Sequence, residues 1–154
     1  MTIRFEKEPI IEVERVYYRN APIILGSPPG IPGDSSYAVT TIRSALLFNE
    51  LIRQGIPDIR GVWLNAICQR QFICISIRQR YGGHSKEVGL LASQGRIGNP
   101  GGRYVIVVDE DIDPWDSFQV EWAIATRVQA DRDVEIIKNG KSPGPVYSHY
   151  RYIL

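Results

Sequence analysis

Tyr104-Val105-Ile106-Val107-Val108 is the stretch that decides the fold. Its residues run without a polar break between Arg103, which follows the turn-forming Gly101-Gly102, and the acidic Asp109-Glu110-Asp111-Ile112-Asp113. A strand with one wet face alternates apolar with polar, so an unbroken run of this kind belongs to a strand covered on both faces, at the centre of a sheet. Downstream, Asp113-Pro114 reads as a helix start, with Asp113 as N-cap, Pro114 at the first helical position and Asp116 in the first turn. Phe118, Val120, Trp122, Ala123 and Ala125 supply that helix with apolar cover. Upstream, Ser85 to Gln94 reads as a short helix with Val88, Leu90, Leu91 and Ala92 on its apolar side.

Further out, two β-rich runs, Ile59 to Ile67 and Phe72 to Arg78, flank Gln69-Arg70-Gln71 and predict a hairpin. Phe72, Cys74, Ser76 and Arg78 fall on one face of the second run, and Ile73, Ile75 and Ile77 on the other. Ser36 to Gln54 carries Ala38, Ile42, Ala45, Leu46, Phe48, Leu51 and Ile52 at helical spacing, closed by Gly55 at the C-cap. Ile10 to Tyr18 alternates apolar with charged in its middle and predicts a half-buried strand. The Gly/Pro-rich residues 26–34 form a loop, Asp133 to Ile137 a last short strand, and Lys138 to Leu154 a tail without clear period. Helices alternating with strands give the fold class α/β: a layered domain with a mixed, partly parallel sheet covered by helices.

The chain has 154 residues, enough for one domain. Hydrophobic residues at 44% and charged residues at 23% mark an ordinary folded chain. Eighteen basic against seventeen acidic side chains leave a net charge of +1, so no long-range field steers nucleic acid or an anionic membrane to it. No run approaches the ~20 apolar residues of a membrane span, and Met1 to Glu8 has no apolar signal core. Cys68 and Cys74 form neither a zinc site nor a disulfide framework and suit a reducing compartment. The expectation is a cytoplasmic protein.

Chemistry-bearing residues are few. The acidic cluster 109–113 lacks the glycine and distal glutamate of a calcium loop and reads as a strand end running into a helix cap. His84, after Tyr81-Gly82-Gly83, reads as a capping or packed histidine, and His149 as a solvated one. Cys74 and Ser85 lack any nucleophile elbow. The glycine-rich stretches 26–33 and 95–102 match neither phosphate-binding signature, although Arg96 is a fixed multi-donor cation suited to a phosphate from outside the chain. Trp, Tyr and Arg are interleaved in places, but without the basic stripe of a nucleic-acid platform.

Several separated blocks stand together in order: Val16-Tyr17-Tyr18-Arg19-Asn20-Ala21-Pro22-Ile23, then Ile75-Ser76-Ile77-Arg78-Gln79-Arg80-Tyr81-Gly82-Gly83-His84-Ser85-Lys86, then 104–113. With Trp122-Ala123-Ile124-Ala125-Thr126-Arg127 and Asp131-Arg132-Asp133-Val134, they give a resemblance to the UbiD-type decarboxylases that covers about residues 10 to 137. It implies a family that uses prenylated flavin mononucleotide to remove carboxylate from aromatic or α,β-unsaturated acids. In that family the flavin-binding split barrel, the metal ligands and a glutamate–arginine–glutamate network lie in an N-terminal region. Met1 to Glu8 shows no such motif, so no catalytic residue and no metal ligand is carried over.

The resemblance implies that residues 1–33 are N-terminal strands and a Pro/Gly-rich connection, the end of the split-barrel region, and that 34–154 are the C-terminal α/β domain. By motif position, Ile24, Leu25 and Gly26 would face the substrate and Arg96 the flavin phosphate. By place alone, Lys141, Pro145 and Val146 would lie in the pocket-closing loop. The implied chain is a lid and oligomerisation domain, inactive alone and without tightly bound flavin, that self-associates and works with a flavin-binding region. Alternatives are a small subunit completing the site of a separate flavin-binding polypeptide, and a non-catalytic self-associating module.

Overall fold

A computed structural model describes residues 10–24, 35–66, 68, 70–98, 102–138, 140 and 151–153. Five strands form one mixed sheet in the order β1-β2-β3-β5-β4. β1 (Ile59–Leu64) and β2 (Phe72–Ile77) make the expected antiparallel hairpin, with Leu64 opposite Ile73. β2 runs parallel to β3 (Tyr104–Asp109) over the full length of both. α2 (His84–Gln94) connects them, as a parallel pair requires. β3 therefore sits centrally, as its unbroken apolar run predicts.

The two faces of β2 feed two cores, as expected from its alternation. Ile73, Ile75 and Ile77 pack with Val105, with Leu47 and Leu51 of α1 (Ser35–Arg53) and with Val88 and Ala92 of α2. Cys74 and, at its margin, Phe72 pack with Ile106, Val108, Val120 and Ala123, the last two from α3 (Ser117–Arg127) on the opposite face. The result is three layers, with α1 and α2 on one side and α3 on the other.

Several local expectations are corrected. The buried side of α1 is Thr40, Ser44, Leu47, Phe48 and Leu51, while Ile42, Ala45, Leu46 and Ile52 face outwards. Polar Ser44 belongs inside because its Oγ accepts the Leu64 N–H (3.0 Å) and donates to Thr40 O (2.8 Å), tying α1 to the end of β1. Gly55 ends the helix with φ 88°, a conformation open to glycine at no steric cost.

α3 starts three residues later than expected. Asp116, not Asp113, is its N-cap, accepting from the N–H groups of Phe118 and Gln119, while Asp113 Oδ1 caps a preceding turn at Trp115 N–H. Phe118 and Trp122 are exposed, and the cover comes from Val120 and Ala123. The last predicted strand, Asp133 to Ile137, is shorter than expected: Asp133 closes a one-turn helix, α4 (Ala130–Asp133), and β4 spans Glu135–Ile137.

The tail contributes β5 (Arg151–Ile153), which inserts between β3 and β4, parallel to the first and antiparallel to the second. Ile153 fits against Gly89, where a Cβ would meet its Cγ2 at 2.5 Å. Ile10 to Tyr18 is not a strand of this sheet. Residues 10–24 stand clear of the core, with Ile10, Val16, Tyr17 and Ile24 among side chains 65–96% exposed. No helix among the described residues is long and apolar enough to cross a membrane.

Candidate functional site at the carboxyl edge of the sheet

Parallel strands in α/β sheets present ligands at their carboxyl ends. There, between the ends of β2 and β3, the start of α2 and the end of α3, lies a cavity of about 300 Å³. Ser85, Lys86, Asp109, Arg127 and Asp133 supply its polar lining, and Ile77, Val107, Ala123 and Ile153 its apolar lining.

Its charges are paired. Arg127 forks onto Asp111 through Nη1 (2.9 Å) and Nη2 (2.6 Å), with its guanidinium 5.0 Å from the centre of the Trp122 ring. Arg132 Nε binds Asp133 Oδ1 at 2.8 Å, and Lys86 binds Glu135. At the far side of the acidic cluster, Glu110 takes Arg60 (3.2 Å) and Arg78 (3.6 Å), so these carboxylates serve as ion-pair partners and caps. Among the described residues no group of three or more His, Cys, Asp or Glu side chains is placed to hold a metal.

The Arg127 hydrogen bonds hold the Asp111 carboxyl below its usual value of 3.8, and Arg132 and Arg80 do the same for Asp133 and Asp58. A carboxyl depressed in the fold contributes stability that is complete above its unfolded value and is lost as pH falls through the folded one. Melting temperature is therefore expected to hold between pH 7 and 5 and to drop below about pH 4, and Asp111→Asn to flatten part of that drop. Thermal melts from pH 7 to 3 check both.

His84 opens α2, fully buried, with its ring 4.7 Å from that of Tyr81. Tyr81 Oη donates to Glu87 Oε2 at 2.7 Å. Neither ring nitrogen of His84 has a hydrogen-bond partner among the described residues. It is the packed histidine expected from its place, without the base-to-Ser85 contact a nucleophilic pair would need. Because an unmet buried polar group costs about 1–3 kcal/mol, His84→Leu is expected to leave stability unchanged or raise it, whereas His84→Ala opens a void and lowers it. Urea titrations of the two variants check the order. Cys74 lies in the core of the α3 face, where burial pushes its thiol up to about 12, so it stays a thiol and a poor nucleophile.

The described glycines of the stretch after α2, Gly95, Gly98 and Gly102, are explained by packing. A Cβ on Gly98 would overlap the carbonyl oxygen of Ala92, one on Gly95 would meet Leu91 O at 2.8 Å, and one on Gly102 would meet Ile73 Cδ1 at 2.7 Å. The N–H groups of Arg96 and Ile97 are engaged by Glu50, each at 3.0 Å. Among the described residues of this stretch, the exposed side chain of Arg96 is open to an outside anion. That is a sound chemical fit to the edge of a phosphate, and a single contact among the described residues.

Of the residues assigned by resemblance, the described Ile24 and Arg96 do not line this cavity. Arg96 lies beyond the carboxyl end of α2, and the cavity lies at its amino end. Ile24 is exposed and does not line the cavity. Leu25, Gly26, Lys141, Pro145 and Val146, like His149, lie outside the described residues. The cavity residues Lys86, Arg127, Asp133 and Glu135 were missed because they are far apart in sequence. The available signal was Asp109, closing a central strand where ligands usually bind.

Comparison with known proteins bears on the same region. Residues 36–149 match the family described as the 3-octaprenyl-4-hydroxybenzoate carboxy-lyase C-terminal domain. Among curated proteins, a phenolic acid decarboxylase of Bacillus subtilis (strain 168) is 35% identical over 130 residues, 84% of this chain and 27% of its own length. An anhydromevalonate phosphate decarboxylase of Methanocaldococcus jannaschii is 32% identical over 143 residues, 88% of this chain and 31% of its own.

Among solved structures, the vanillic acid decarboxylase of Sedimentibacter hydroxybenzoicus (ShVdcCD) in open form, with truncated ShVdcD, matches with TM-score 0.70 and 31% identity, covering 78% of this chain and 27% of that one. The UbiD-class enzyme HmfF from Pelotomaculum thermopropionicum, in complex with FMN, matches with TM-score 0.63 and 30% identity, covering 73% and 26%. The chain thus spans about 27% of the length of relatives such as these decarboxylases.

Proposed function

The chain belongs to the 3-octaprenyl-4-hydroxybenzoate carboxy-lyase C-terminal domain family, and we propose that it is the lid and oligomerisation domain of a prenylated-FMN-dependent decarboxylase of aromatic or α,β-unsaturated acids. The observation that carries this reading is the match of residues 36–149 to a C-terminal domain, in relatives of which the chain spans about 27%. Fold alone does not assign chemistry, and the described residues bring together no nucleophile, base and oxyanion donors. The reaction centre is accordingly supplied by a flavin-binding region, with residues 1–33 as the end of that region and 34–154 as the lid.

In this reading the exposed apolar side chains of residues 10–24 pack against the flavin-binding region, which removes them from water. Ile24, Leu25 and Gly26 face the substrate, Lys141, Pro145 and Val146 close its pocket, and Arg96 reaches the flavin phosphate as a charged donor. The cofactor, when bound, supplies the electron sink for loss of carbon dioxide. This chain's part is to exclude water and shape the apolar side of the pocket. The protein works in the cytoplasm as a homo-oligomer.

The test is direct. Purified chain mixed with prenylated FMN and a panel of phenolic and acrylic acids is expected to release no carbon dioxide above the uncatalysed rate, and clear turnover sinks the reading. A second reading, a separate small subunit, draws support from the composite make-up of the vanillic acid decarboxylase. Copurification of a flavin-binding polypeptide with the chain from its native host would establish that reading.

A further inference from the structure

α1 is apolar on both sides. Leu47 and Leu51 face the sheet and are fully buried. On the side turned away from it, Val39, Ile42, Leu46 and Ile52 stand 45–63% exposed, with Ala45 and Asn49 between them. None of the exposed positions between Val39 and Ile52 carries a charge. A surface helix ordinarily turns charged and polar residues to water, and a helix that is apolar all round belongs inside a larger assembly. The stripe is about 20 Å long at the rise of an α-helix, enough for a second helix to lie along it at a shallow crossing angle.

The stripe is complementary to itself, which is what a two-fold contact demands. Antiparallel packing about an axis near Leu46 sets Leu46 against Leu46 of a second copy and Ile42 beside its Asn49. Ala45, small and close to the same axis, lets the two backbones approach. Arg43 and Glu50 share one edge of the stripe, seven residues apart, so the same rotation brings Arg43 of each copy beside Glu50 of the other. Glu50 is fixed at that edge by the N–H groups of Arg96 and Ile97, each at 3.0 Å. α3 carries another exposed apolar stripe, Trp115, Phe118 and Trp122. It is rimmed by Asp113, Asp116 and Glu121, so a two-fold pairing there sets carboxylates of the two copies against one another.

We propose that the outer face of α1 is the dimer surface of this chain: two copies pack their α1 helices antiparallel about a two-fold axis near Leu46, with Arg43 of each against Glu50 of the other. The proposal rests on the homo-oligomer reading above and goes further by naming the surface.

Sedimentation of the full chain tests it and is expected to show a reversible monomer–dimer equilibrium in the micromolar range, the weak end suited to a single helix pair. Leu46→Glu sets like charges together at the axis and is expected to weaken association about tenfold or more. Ile42→Glu, at a more exposed position, is the second variant should the first not fold. Phe118→Ser on α3 is expected to leave association unchanged. With Cys68→Ser removing the exposed native thiol, Ile42→Cys combined with Asn49→Cys is expected to give a disulfide-linked dimer on mild oxidation. A chain that stays monomeric throughout the micromolar range overturns both the proposal and the homo-oligomer reading. A dimer unmoved by the glutamate variants, lost in Phe118→Ser, or without the cross-link overturns the surface alone and leaves the homo-oligomer reading standing.

Discussion

Gly98→Ala is expected to lower stability by about 3 kcal/mol, near the upper end for forcing extra volume into a packed site. The added Cβ would overlap the carbonyl oxygen of Ala92, a backbone atom of the last turns of α2 that no rotamer change moves aside. Relief requires the turn at residues 95–98 to lift, and the hydrogen bonds from Arg96 and Ile97 to Glu50 resist that. Chemical unfolding checks the size, and a crystal structure of the variant would show the lifted turn. A loss under 1 kcal/mol would mean that the turn is loosely seated and that its glycines are free for another purpose.

Ile73→Ala is expected to cost about 4 kcal/mol, within the range for removing a buried aliphatic side chain. Ile73 is fully buried between Leu64 of β1 and Val105 of β3, in the cluster that also holds α1 and α2. Its Cδ1 also limits the space at Gly102. Ile73→Val, which removes only that methyl, is expected to cost about 1 kcal/mol. In its presence Gly102→Ala should be tolerated better than in the parent chain, because the obstructing atom is gone. A double-mutant cycle by urea titration measures this coupling, and strict additivity would refute the contact.

Where the sequence was legible, one physical cause dominated. The covered strand 104–109, the two faces of β2 and the glycine stop at Gly55 each follow from burial or sterics acting on adjacent residues. The misreadings arise where a polar group does interior work or where two local patterns compete. Ser44 looks like a surface residue until the Leu64 N–H that it satisfies is known. Asp113-Pro114 and Asp116 both satisfy helix-start chemistry, and the register that places Val120 and Ala123 against β2 and β3 selects the later one. Arg151–Ile153 is too short to show a period and is a strand only because β3 and β4 leave room between them.

The candidate site was least legible. Its lining comes from β2, β3, α2, α3 and β5, and no local window contains it. The run Ile10–Tyr18 is the converse case: its alternation is plain in sequence, while the described sheet does not include it.

The strand order also bears on how the protein emerges from a ribosome. β1, β2 and β3, with α1 and α2, can pair and pack with one another once residue 109 has cleared the exit tunnel, because these five elements all precede that point while α3 and β5 follow it. β4 has no neighbour until residues 151–153 arrive to separate it from β3. Chains whose residues up to 138–150 have cleared the tunnel should thus carry a formed core with an unsatisfied edge, the kind of exposed template that promotes association of nascent chains. Completing the described sheet waits on the emergence of residues 151–153 rather than on the speed of core collapse.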